Sequence, residues 1–280
     1  LIYASLTGYG QDGPKATAPI YDHVMQAASG LMSVAGTEGK PERIRFPLID
    51  FATGLSGAYA VASALFQRTH TGKGQRVDVS MLDAAFMLLT SGVGQVLTSG
   101  DIVRPRGNIA ASGSPFSGFF STADGTLGIT ANTYPQAVRL CRCLGCEDIL
   151  DDRRFDEWAL HPELADEYQA QFLAIYATRS ADEWEAMLND AAVPAAKVRD
   201  LPDTLAQPQA KNRASVLSAG YFEPLGEELK VPGVTFKLEH GGAEVTSPPP
   251  GHGEQTDEIL GELGYDEAQI TALRQSNAVA

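Results

Sequence analysis

Residues 45–57, RFPLIDFATGLSG, place one carboxylate, Asp50, inside a run of apolar and small side chains. A buried ionised carboxylate without partners is very costly in free energy. Its position alone leaves two interpretations open. Either Asp50 caps the helix that begins here and accepts a backbone N–H, or it is kept for chemistry, since carboxylates also act as covalent nucleophiles. Gly54 and Gly57 favour the second interpretation, because they would open the helix face beside the carboxylate, while residues 47–49 would shield it from water.

The segment after Asp50 predicts a long helix crowded with small residues. Residues 51–70 read FATGLSGAYAVASALFQRTH, and side chains this small let another backbone or a ligand approach closely. A second helix is predicted over residues 18–36, and strands are predicted at residues 1–10 and 76–80. Strands that alternate with helices indicate an α/β layer arrangement.

The character of the sequence changes after Arg104. A loop rich in Pro, Gly and Ser leads into a predicted hairpin with Asp124 and Gly125 at its turn. Acidic, helix-forming segments follow from about residue 134 to 189. These features are typical of a separate, smaller unit.

Two helix caps, one strand and a final pair of helices complete the prediction. Ser80 is expected to cap a single helix that runs to about residue 100, and Ser180 with Glu183 three residues later forms a capping-box pattern. Residues 231–239 read as a strand, and the chain ends with a Pro-rich segment and a predicted pair of helices.

The composition limits the classes of partner. The chain has 280 residues, is 44% hydrophobic and carries a formal net charge of -14, which argues against binding to a phosphate backbone. No apolar run approaches the ~20 residues of a membrane span, and no signal peptide can be read. The chain opens on a strand-like segment at Leu1, which suggests that an N-terminal part is missing. The predicted location is the cytoplasm.

The motifs for metal, phosphate and serine chemistry are absent from the sequence. Cys141, Cys143 and Cys146 include one C-x-x-C spacing, but no second pair of ligands follows, so reduced structural thiols are predicted and no metal site. The segment TGKGQ, residues 71–75, lacks the spacing of a phosphate-binding Walker loop. Neither a zinc-binding His pair nor the G-x-S-x-G motif of serine hydrolases occurs.

Taken together, the longer blocks of the sequence resemble the family III CoA-transferases, the family of formyl-CoA transferase and carnitine CoA-transferase. The blocks follow one another in the order of that family over nearly the whole chain. They are SLTGYGQDGP (5–14), YDHVMQAASGLMSVAG (21–36), PLIDFATGLSGAYAVASAL (47–65), TGKGQRVDVSMLDA (71–84), FSTADGTLGI (120–129) and PPPGHGEQTDEIL (248–260).

The resemblance implies an α/β fold with a Rossmann-like large domain and an inserted smaller α+β domain. Residues 1–105 would be part of the large domain, which binds CoA and carries the catalytic residue. Residues 106–220 would form the small domain, and residues 221–280 would return to the large one. The family assembles as dimers of interlocked ring-shaped chains, so a homodimer is expected.

The resemblance also implies an enzyme that moves CoA from an acyl-CoA thioester to a carboxylic acid. In the family, the residue that matches Asp50 attacks the thioester and forms a covalent aspartyl intermediate. Water is expected to be excluded, because an anhydride hydrolyses readily. Acyl-CoA and a carboxylic acid are the implied partners, coenzyme A acts as a substrate, and no tightly bound cofactor, nucleic acid or membrane is implied.

Further site residues are carried over from the family on matching blocks. Tyr21 and Asp22 are implied to contact substrate, although Asp22 alone reads equally well as a helix cap or a solvated first-turn acid. Gly113 and Ser114 lie in the place of a glycine-rich loop over the acyl group, but with a single glycine here a mobile lid is not supported. Contacts with CoA are implied for Ala18, Pro19, Ile20 and Tyr21.

Two alternatives stay open. The α-methylacyl-CoA racemases of the same superfamily carry a His where this chain has Tyr21, and they need a second acid or base near neutral pKa. Tyrosine has an ordinary pKa of about 10, and His23 is expected to point elsewhere, about 200° further around the helix. This comparison favours the transferase. The other alternative is a CoA-binding protein without catalytic activity.

The acid acceptor is not specified by the sequence. Four arginines are candidates for holding a dicarboxylate, although solvated surface positions explain them equally well. They are Arg43, Arg45, Arg104 and Arg106.

Overall fold

The computed structural model describes residues 1–105, 107–108, 112–161, 163–213, 215–242 and 244–279. The chain separates into two compact units, Leu1–Val198 and Arg199–Ala280. The domain boundaries predicted after residues 105 and 220 are not tested by this division and stay a prediction.

The first unit opens with an α/β arrangement. Its strands β1 and β4 pair in parallel over six residues, with Ile2 opposite Gln75 and Thr7 opposite Ser80. Both strands were predicted, and they are confirmed. In chain order this part contains β1 (Ile2–Thr7), α1 (Asp22–Ala28), α2 (Leu31–Val34), β2 (Gly36–Thr37), β3 (Lys40–Pro41), α3 (Leu48–Thr71), β4 (Gln75–Ser80), α4 (Met81–Leu88) and α5 (Thr90–Ser99).

Two helices predicted as continuous are each broken. The helix predicted over residues 18–36 begins only at Asp22 and ends at Ala28, because Gly30 adopts a left-handed conformation with φ +86°. The helix predicted to run from Ser80 to about residue 100 bends by 80° between α4 and α5. Its predicted cap is confirmed, since the Ser80 hydroxyl accepts the N–H of Asp83 at 3.0 Å.

The long helix α3 packs closely on the parallel strands. A Cβ on Gly57 would lie 2.7 Å from Cδ2 of Leu6 in β1, so glycine at this position lets the helix approach the strand. The helix ends where Gly72 adopts φ +68° and donates its N–H to the carbonyl of Arg68. By length and composition alone α3 could cross a membrane, so the prediction that no stretch reaches that length was wrong.

That result for α3 is weak support for a membrane span. The core helix of a soluble protein passes the same test, although only 28% of the tested window is buried here. The exposed face of α3 carries large apolar side chains spaced one or two turns apart, which are Phe51, Leu55, Tyr59 and Phe66.

A small hydrophobic cluster joins the start of α3 to its neighbours. Met25 of α1, Ile49 of α3 and Ala85 of α4 are fully or almost fully buried together with Leu31. This cluster fixes α1 against the first turn of α3, and therefore fixes the surroundings of Asp50.

The remainder of the first unit is a helical layer on a three-stranded antiparallel sheet. The sheet has the order β5-β6-β7, and the predicted hairpin turn is confirmed, with the N–H of Thr122 donated to the carbonyl of Gly125 at 2.8 Å. The elements are β5 (Gly118–Ser121), β6 (Thr126–Ile129), α6 (Tyr134–Leu144), two 3₁₀ segments (Glu147–Asp151 and Arg153–Leu160), α7 (Glu163–Tyr176), α8 (Ala181–Asp190) and β7 (Ala195–Lys197).

Aromatic side chains fill the core between this sheet and its helices. The ring of Phe116 lies 5.0 Å from that of Phe155 and 5.7 Å from that of Phe172, and Tyr176 meets Trp184 edge to face at 5.6 Å. The predicted capping box of α8 is confirmed, because Ser180 and Glu183 bond to each other's backbone N–H groups.

The cysteines belong to the same core. Cys141 and Cys146 are buried and Cys143 is partly buried, and all three are free thiols. A hydrogen bond to Cys146 and burial raise the pKa of Cys141 above its ordinary value. These surroundings suit the structural role that was predicted for the thiols.

The second unit contains two antiparallel strands and four helices among its described residues. The predicted final pair of helices is confirmed, but the strand predicted over residues 231–239 is wrong. That strand ends at Pro232, and the segment after Gly233 is irregular. The elements are α9 (Leu201–Ala206), α10 (Pro208–Asn212), β8 (Val216–Phe222), β9 (Glu227–Pro232), α11 (Thr256–Glu262) and α12 (Glu267–Gln275), with a 3₁₀ segment at Glu223–Leu225.

Candidate active site at the start of helix α3

Asp50 is the third residue of α3 and does not cap it. The N-cap position belongs to Pro47, whose side chain cannot accept a hydrogen bond. The first amides of a helix have no partner within the helix and need one from elsewhere. Here the N–H of Leu48 is donated to the carbonyl of Phe46 at 2.8 Å, and the N–H of Phe51 makes the first regular helix bond, to Pro47 at 3.1 Å.

The two amides in between are capped by a residue from another helix. The Oδ2 atom of Asp22 accepts the N–H of Ile49 at 2.7 Å and the N–H of Asp50 at 3.2 Å. These are the donors that a local N-cap side chain would normally serve. The positive end of the helix dipole also favours a carboxylate here.

Gln26 completes this arrangement from one turn further along α1. Its Nε2 donates to Oδ1 of Asp22 at 2.6 Å and to the carbonyl of Ile44 at 3.0 Å, and its Oε1 accepts the N–H of Ile44 at 2.8 Å. Gln26 is fully buried and Asp22 is 7% exposed. The cost of burying these polar groups is offset because each has several partners.

The Asp50 carboxylate itself takes no part in these bonds. None of the hydrogen bonds found among the described residues ends on it, and the residue is exposed. Partial desolvation and, second, the negative charge of Asp22 raise the pKa of the Asp50 carboxyl above its ordinary value of 3.8. Because Asp50 is exposed, water screens both effects, and the adjacency of the two acids carries more weight than the size of the shift.

The predicted shelter around Asp50 is not formed by this chain alone. Pro47 and Asp50 are exposed, and Ile49 turns into the core instead of covering the carboxylate. Gly54 does leave open space, since a Cβ at this position would have no atom within 4 Å, whereas the space beside Gly57 is occupied by Leu6. The expectation that both glycines open the helix face therefore holds for Gly54 only.

Tyr21 precedes α1 in an extended conformation and is 74% exposed. Its ring is parallel to that of His23, with 6.3 Å between the ring centroids. The expectation that His23 points elsewhere was therefore wrong. The rotation of 100° per residue applies inside a helix, and Tyr21 lies outside it.

The remaining residues predicted to contact CoA lie in the segment before α1. Ala18 and Pro19 are exposed, while Ile20 is partly buried and packs on the cluster around Met25. A Cβ on Gly8 would lie only 2.0 Å from Cγ2 of Ile20. Ile20 thus anchors the segment, and the predicted contacts of these residues with CoA stay predictions.

The structure places Gly113 and Ser114 in an irregular segment beside the residues that follow β6. The hydroxyl of Ser114 is buried, donates to the carbonyl of Ala131 at 2.7 Å and accepts the N–H of Phe116 at 3.3 Å. Gly113 adopts φ +66°, which favours glycine. All described contacts of Ser114 are thus internal, and its predicted contact with substrate stays a prediction.

The four arginines proposed to hold a dicarboxylate differ in their surroundings. Arg104 forms an ion pair with Glu38, and Arg106 lies outside the described residues. Arg43 and Arg45 are exposed on the loop whose backbone Gln26 holds at Ile44, and no ion pair of theirs is found in the part of the chain that the structure describes.

Gln26 is the residue that sequence reasoning missed. It lies four residues after Asp22, which is the spacing of neighbours on one helix face. Within the described residues, no group of three His, Cys, Asp or Glu side chains gathers as a set of metal ligands. The site is therefore built from two carboxylates, one amide and helix ends.

The chain belongs to CoA-transferase family III, whose family model matches residues 1–256. It is 30% identical over its full length to succinyl-CoA:glutarate CoA-transferase of Mus musculus. It is 31% identical, over 87% of its length, to acetyl-CoA:oxalate CoA-transferase of Acetobacter aceti. The chain spans 64% of the mouse protein and 63% of the Acetobacter protein.

The fold agrees with this assignment. The chain is similar to the crystal structure of Rv3272 from M. tuberculosis, with a TM-score of 0.79 and 29% sequence identity, over 92% of this chain and 68% of that one. The resemblance to the family that was inferred from the sequence is thus confirmed, and so is the mixed α/β class.

Proposed function

We propose that this protein transfers CoA from an acyl-CoA to a free carboxylic acid, with Asp50 as the acyl-accepting group. The observation that carries this proposal is the capping of α3 by Asp22. The amides that would otherwise hold the Asp50 carboxylate are occupied, so the carboxylate is left accessible at the helix start. Membership of CoA-transferase family III and the names of the relatives support the reaction class.

The reaction can be written so that no proton moves. A carboxylate oxygen of Asp50 attacks the thioester carbonyl carbon, and the C–S bond breaks. The CoA thiolate is released, and an acyl-aspartyl anhydride remains on the protein. The thiolate then attacks the Asp50 carbonyl and releases the donor acid, which leaves an aspartyl-CoA thioester. The acceptor carboxylate attacks the carbonyl carbon of this thioester, the C–S bond breaks, and a second anhydride forms with release of the thiolate. The thiolate finally attacks the acceptor acyl carbon of this anhydride, which gives the acceptor acyl-CoA and frees the Asp50 carboxylate.

The acceptor that we propose is a short dicarboxylic acid. Two relatives are named for transfer to glutarate and to oxalate, both of which are dicarboxylates. One carboxylate of such an acid reacts, so the other needs a cationic partner. Arg43 and Arg45 lie on the loop that leads into α3, and an arginine side chain pairs well with a carboxylate.

The racemase alternative is not favoured. Removing and returning a proton beside the thioester needs an acid and a base, whereas CoA exchange through Asp50 needs neither. The relatives are named as transferases. The position of His23 beside Tyr21 nevertheless makes a direct test worthwhile, and exchange of deuterium at the α-carbon without any acceptor acid would reveal a racemase.

The remaining predictions from the resemblance are part of the same proposal. They are the Rossmann-like arrangement of the large domain, the insertion of the small domain, the interlocked homodimer and the cytoplasmic location. A homodimer would offer one way to exclude water from Asp50, which is exposed in the single chain.

Trapping of the acyl group tests the proposal. The protein is incubated with an acyl-CoA, treated with hydroxylamine and digested, and Asp50 is expected to become a hydroxamate. The Asp50→Asn variant should show no adduct and no transfer. The matched control is Asp156→Asn, which removes only an exposed ion pair with Arg153 and should behave as wild type. CoA binding without any adduct or transfer would instead support a non-catalytic CoA-binding protein.

A further inference from the structure

The buried pair of Asp22 and Gln26 has no described contact that requires a ligand. All three donors to the Asp22 carboxylate belong to the chain itself. With 7% of its surface exposed, Asp22 offers little area to a substrate. The contacts of the pair instead tie three segments together, namely α1, the loop before α3 and the first turn of α3.

The start of α3 lacks a local way to satisfy its amides. Pro47 provides neither a side-chain acceptor nor a backbone N–H. In a usual capping box, the acid at the third helical position bonds back to the N-cap N–H, and Pro47 makes that bond impossible for Asp50. Without Asp22, the N–H groups of Ile49 and Asp50 would need another acceptor, and the Asp50 carboxylate is on the same turn of the helix.

We propose that Asp22, held by Gln26, is a positioning residue for Asp50 rather than a substrate ligand. It caps α3 from a distance and so keeps the Asp50 carboxylate from folding back onto the helix amides. Gln26 holds Asp22 and the loop backbone at Ile44 in place through its hydrogen bonds. This inference rests on the proposed role of Asp50 in CoA transfer.

The charge of Asp22 should affect the pH dependence of Asp50 acylation, which a purely structural role of Asp22 would not change. Its negative charge is one cause of the raised pKa of Asp50. The other titratable or charged groups on the elements packed around the start of α3 are His23 on α1, Asp83 on α4, and Glu42, Arg43 and Arg45 on the loop. Replacing Asp22 by Asn keeps an acceptor oxygen for the amides but removes the charge. The acid limb of the pH profile, which is the fall of the acylation rate at low pH, should then move to lower pH.

The test is a single-turnover measurement of Asp50 acylation in the full chain, with CoA binding measured separately. Asp22→Ala and Gln26→Leu should slow acylation about 10- to 100-fold, as is typical when a reacting group is misplaced, while CoA binds as in wild type. Asp22→Asn should recover most of this rate and show the shifted acid limb. The control is Ser180→Ala, which removes the cap of α8 and should lose thermal stability without slowing acylation.

Each outcome decides between distinct roles for Asp22. Wild-type rates and an unmoved acid limb in every Asp22 variant would overturn this inference and leave the proposed function intact. A raised KM for the acceptor acid with an unchanged acylation rate would make Asp22 a substrate ligand and overturn it as well. No acylation of Asp50 in the wild-type protein would instead refute the proposed function.

Discussion

Asp22 and Asp50 are 28 residues apart in sequence, yet the backbone N–H of Asp50 lies 3.2 Å from the carboxylate oxygen of Asp22. One acid is buried and caps the helix, while the other is exposed on the same helix turn. The sequence alone had left open whether Asp50 was a helix cap or a reactive group. The structure gives the capping role to Asp22, and this division of roles leads to the following predictions.

Asp50→Asn should abolish CoA transfer without destabilising the fold. The pKa of Asp50 is raised in the folded state, which means that its ionised form is disfavoured by folding, and stability falls as pH rises through the folded pKa. Removing the charge should therefore leave the melting temperature at pH 7 equal to or above that of wild type. A clearly lower melting temperature would show that Asp50 has a structural role.

The rate of Asp50 acylation should fall on acidification, because only the ionised carboxylate attacks the thioester. The causes that raise its pKa above 3.8 place the acid limb above that of an ordinary aspartate. Single-turnover rates at a series of acidic pH values measure the limb. An acid limb at or below pH 3.8 would contradict the raised pKa of Asp50.

The two glycines of α3 next to the site should respond differently to alanine. Gly54 faces open space, so Gly54→Ala should gain up to about 1 kcal/mol of unfolding free energy from helix propensity. In Gly57→Ala the new Cβ would lie 2.7 Å from Cδ2 of Leu6, and Leu6 has to move, so less or none of this gain should appear. Denaturant unfolding compares the two, and equal gains would contradict the observed packing.

Arg43→Gln or Arg45→Gln should weaken the binding of the acceptor acid and leave the binding of the donor thioester unchanged. A hydrogen-bonded charge pair contributes about 1.5–3 kcal/mol, so KM for a dicarboxylate should rise about tenfold or more in the variant that loses the contact. A monocarboxylate acceptor of similar length serves as the control and should be affected little. Unchanged KM values in both variants would show that the dicarboxylate is held elsewhere.

His23→Ala should retain CoA transfer, since no step of the proposed reaction needs a base. Its ring only stacks on that of Tyr21 among the described contacts. Transfer rates and deuterium exchange at the α-carbon are measured together. Exchange that occurs in wild type without acceptor acid and disappears in His23→Ala would favour the racemase.

Local sequence patterns were sufficient for much of the fold. The strands at the chain start and before Ser80, the turn at Gly125 and the caps of α4 and α8 depend on neighbours within a few residues, and all were predicted. The breaks at Gly30 and Leu89 were not, because apolar periodicity continues through both positions and tertiary packing decides where the helix stops.

The candidate site was predictable only in part. The resemblance to the family selected Asp50 as the candidate, and its apolar neighbours indicated that it was unusual. The capping of α3 by Asp22 could not be read, because it joins residues 27 and 28 positions apart, and Gln26 carried no signal except its spacing from Asp22. The position of His23 was mispredicted because Tyr21 was assumed to be helical.

The most direct test of the central claim is an oxygen-labelling experiment. A single turnover with an acceptor acid whose carboxylate carries ¹⁸O should leave one ¹⁸O atom in the side chain of Asp50, because the acceptor oxygen that attacks the aspartyl thioester stays on aspartate when CoA takes the acyl group. Mass spectrometry of the peptide that contains Asp50 reads the label. Label in Asp50 is the predicted result, and transfer of CoA with no label in that peptide would contradict the account.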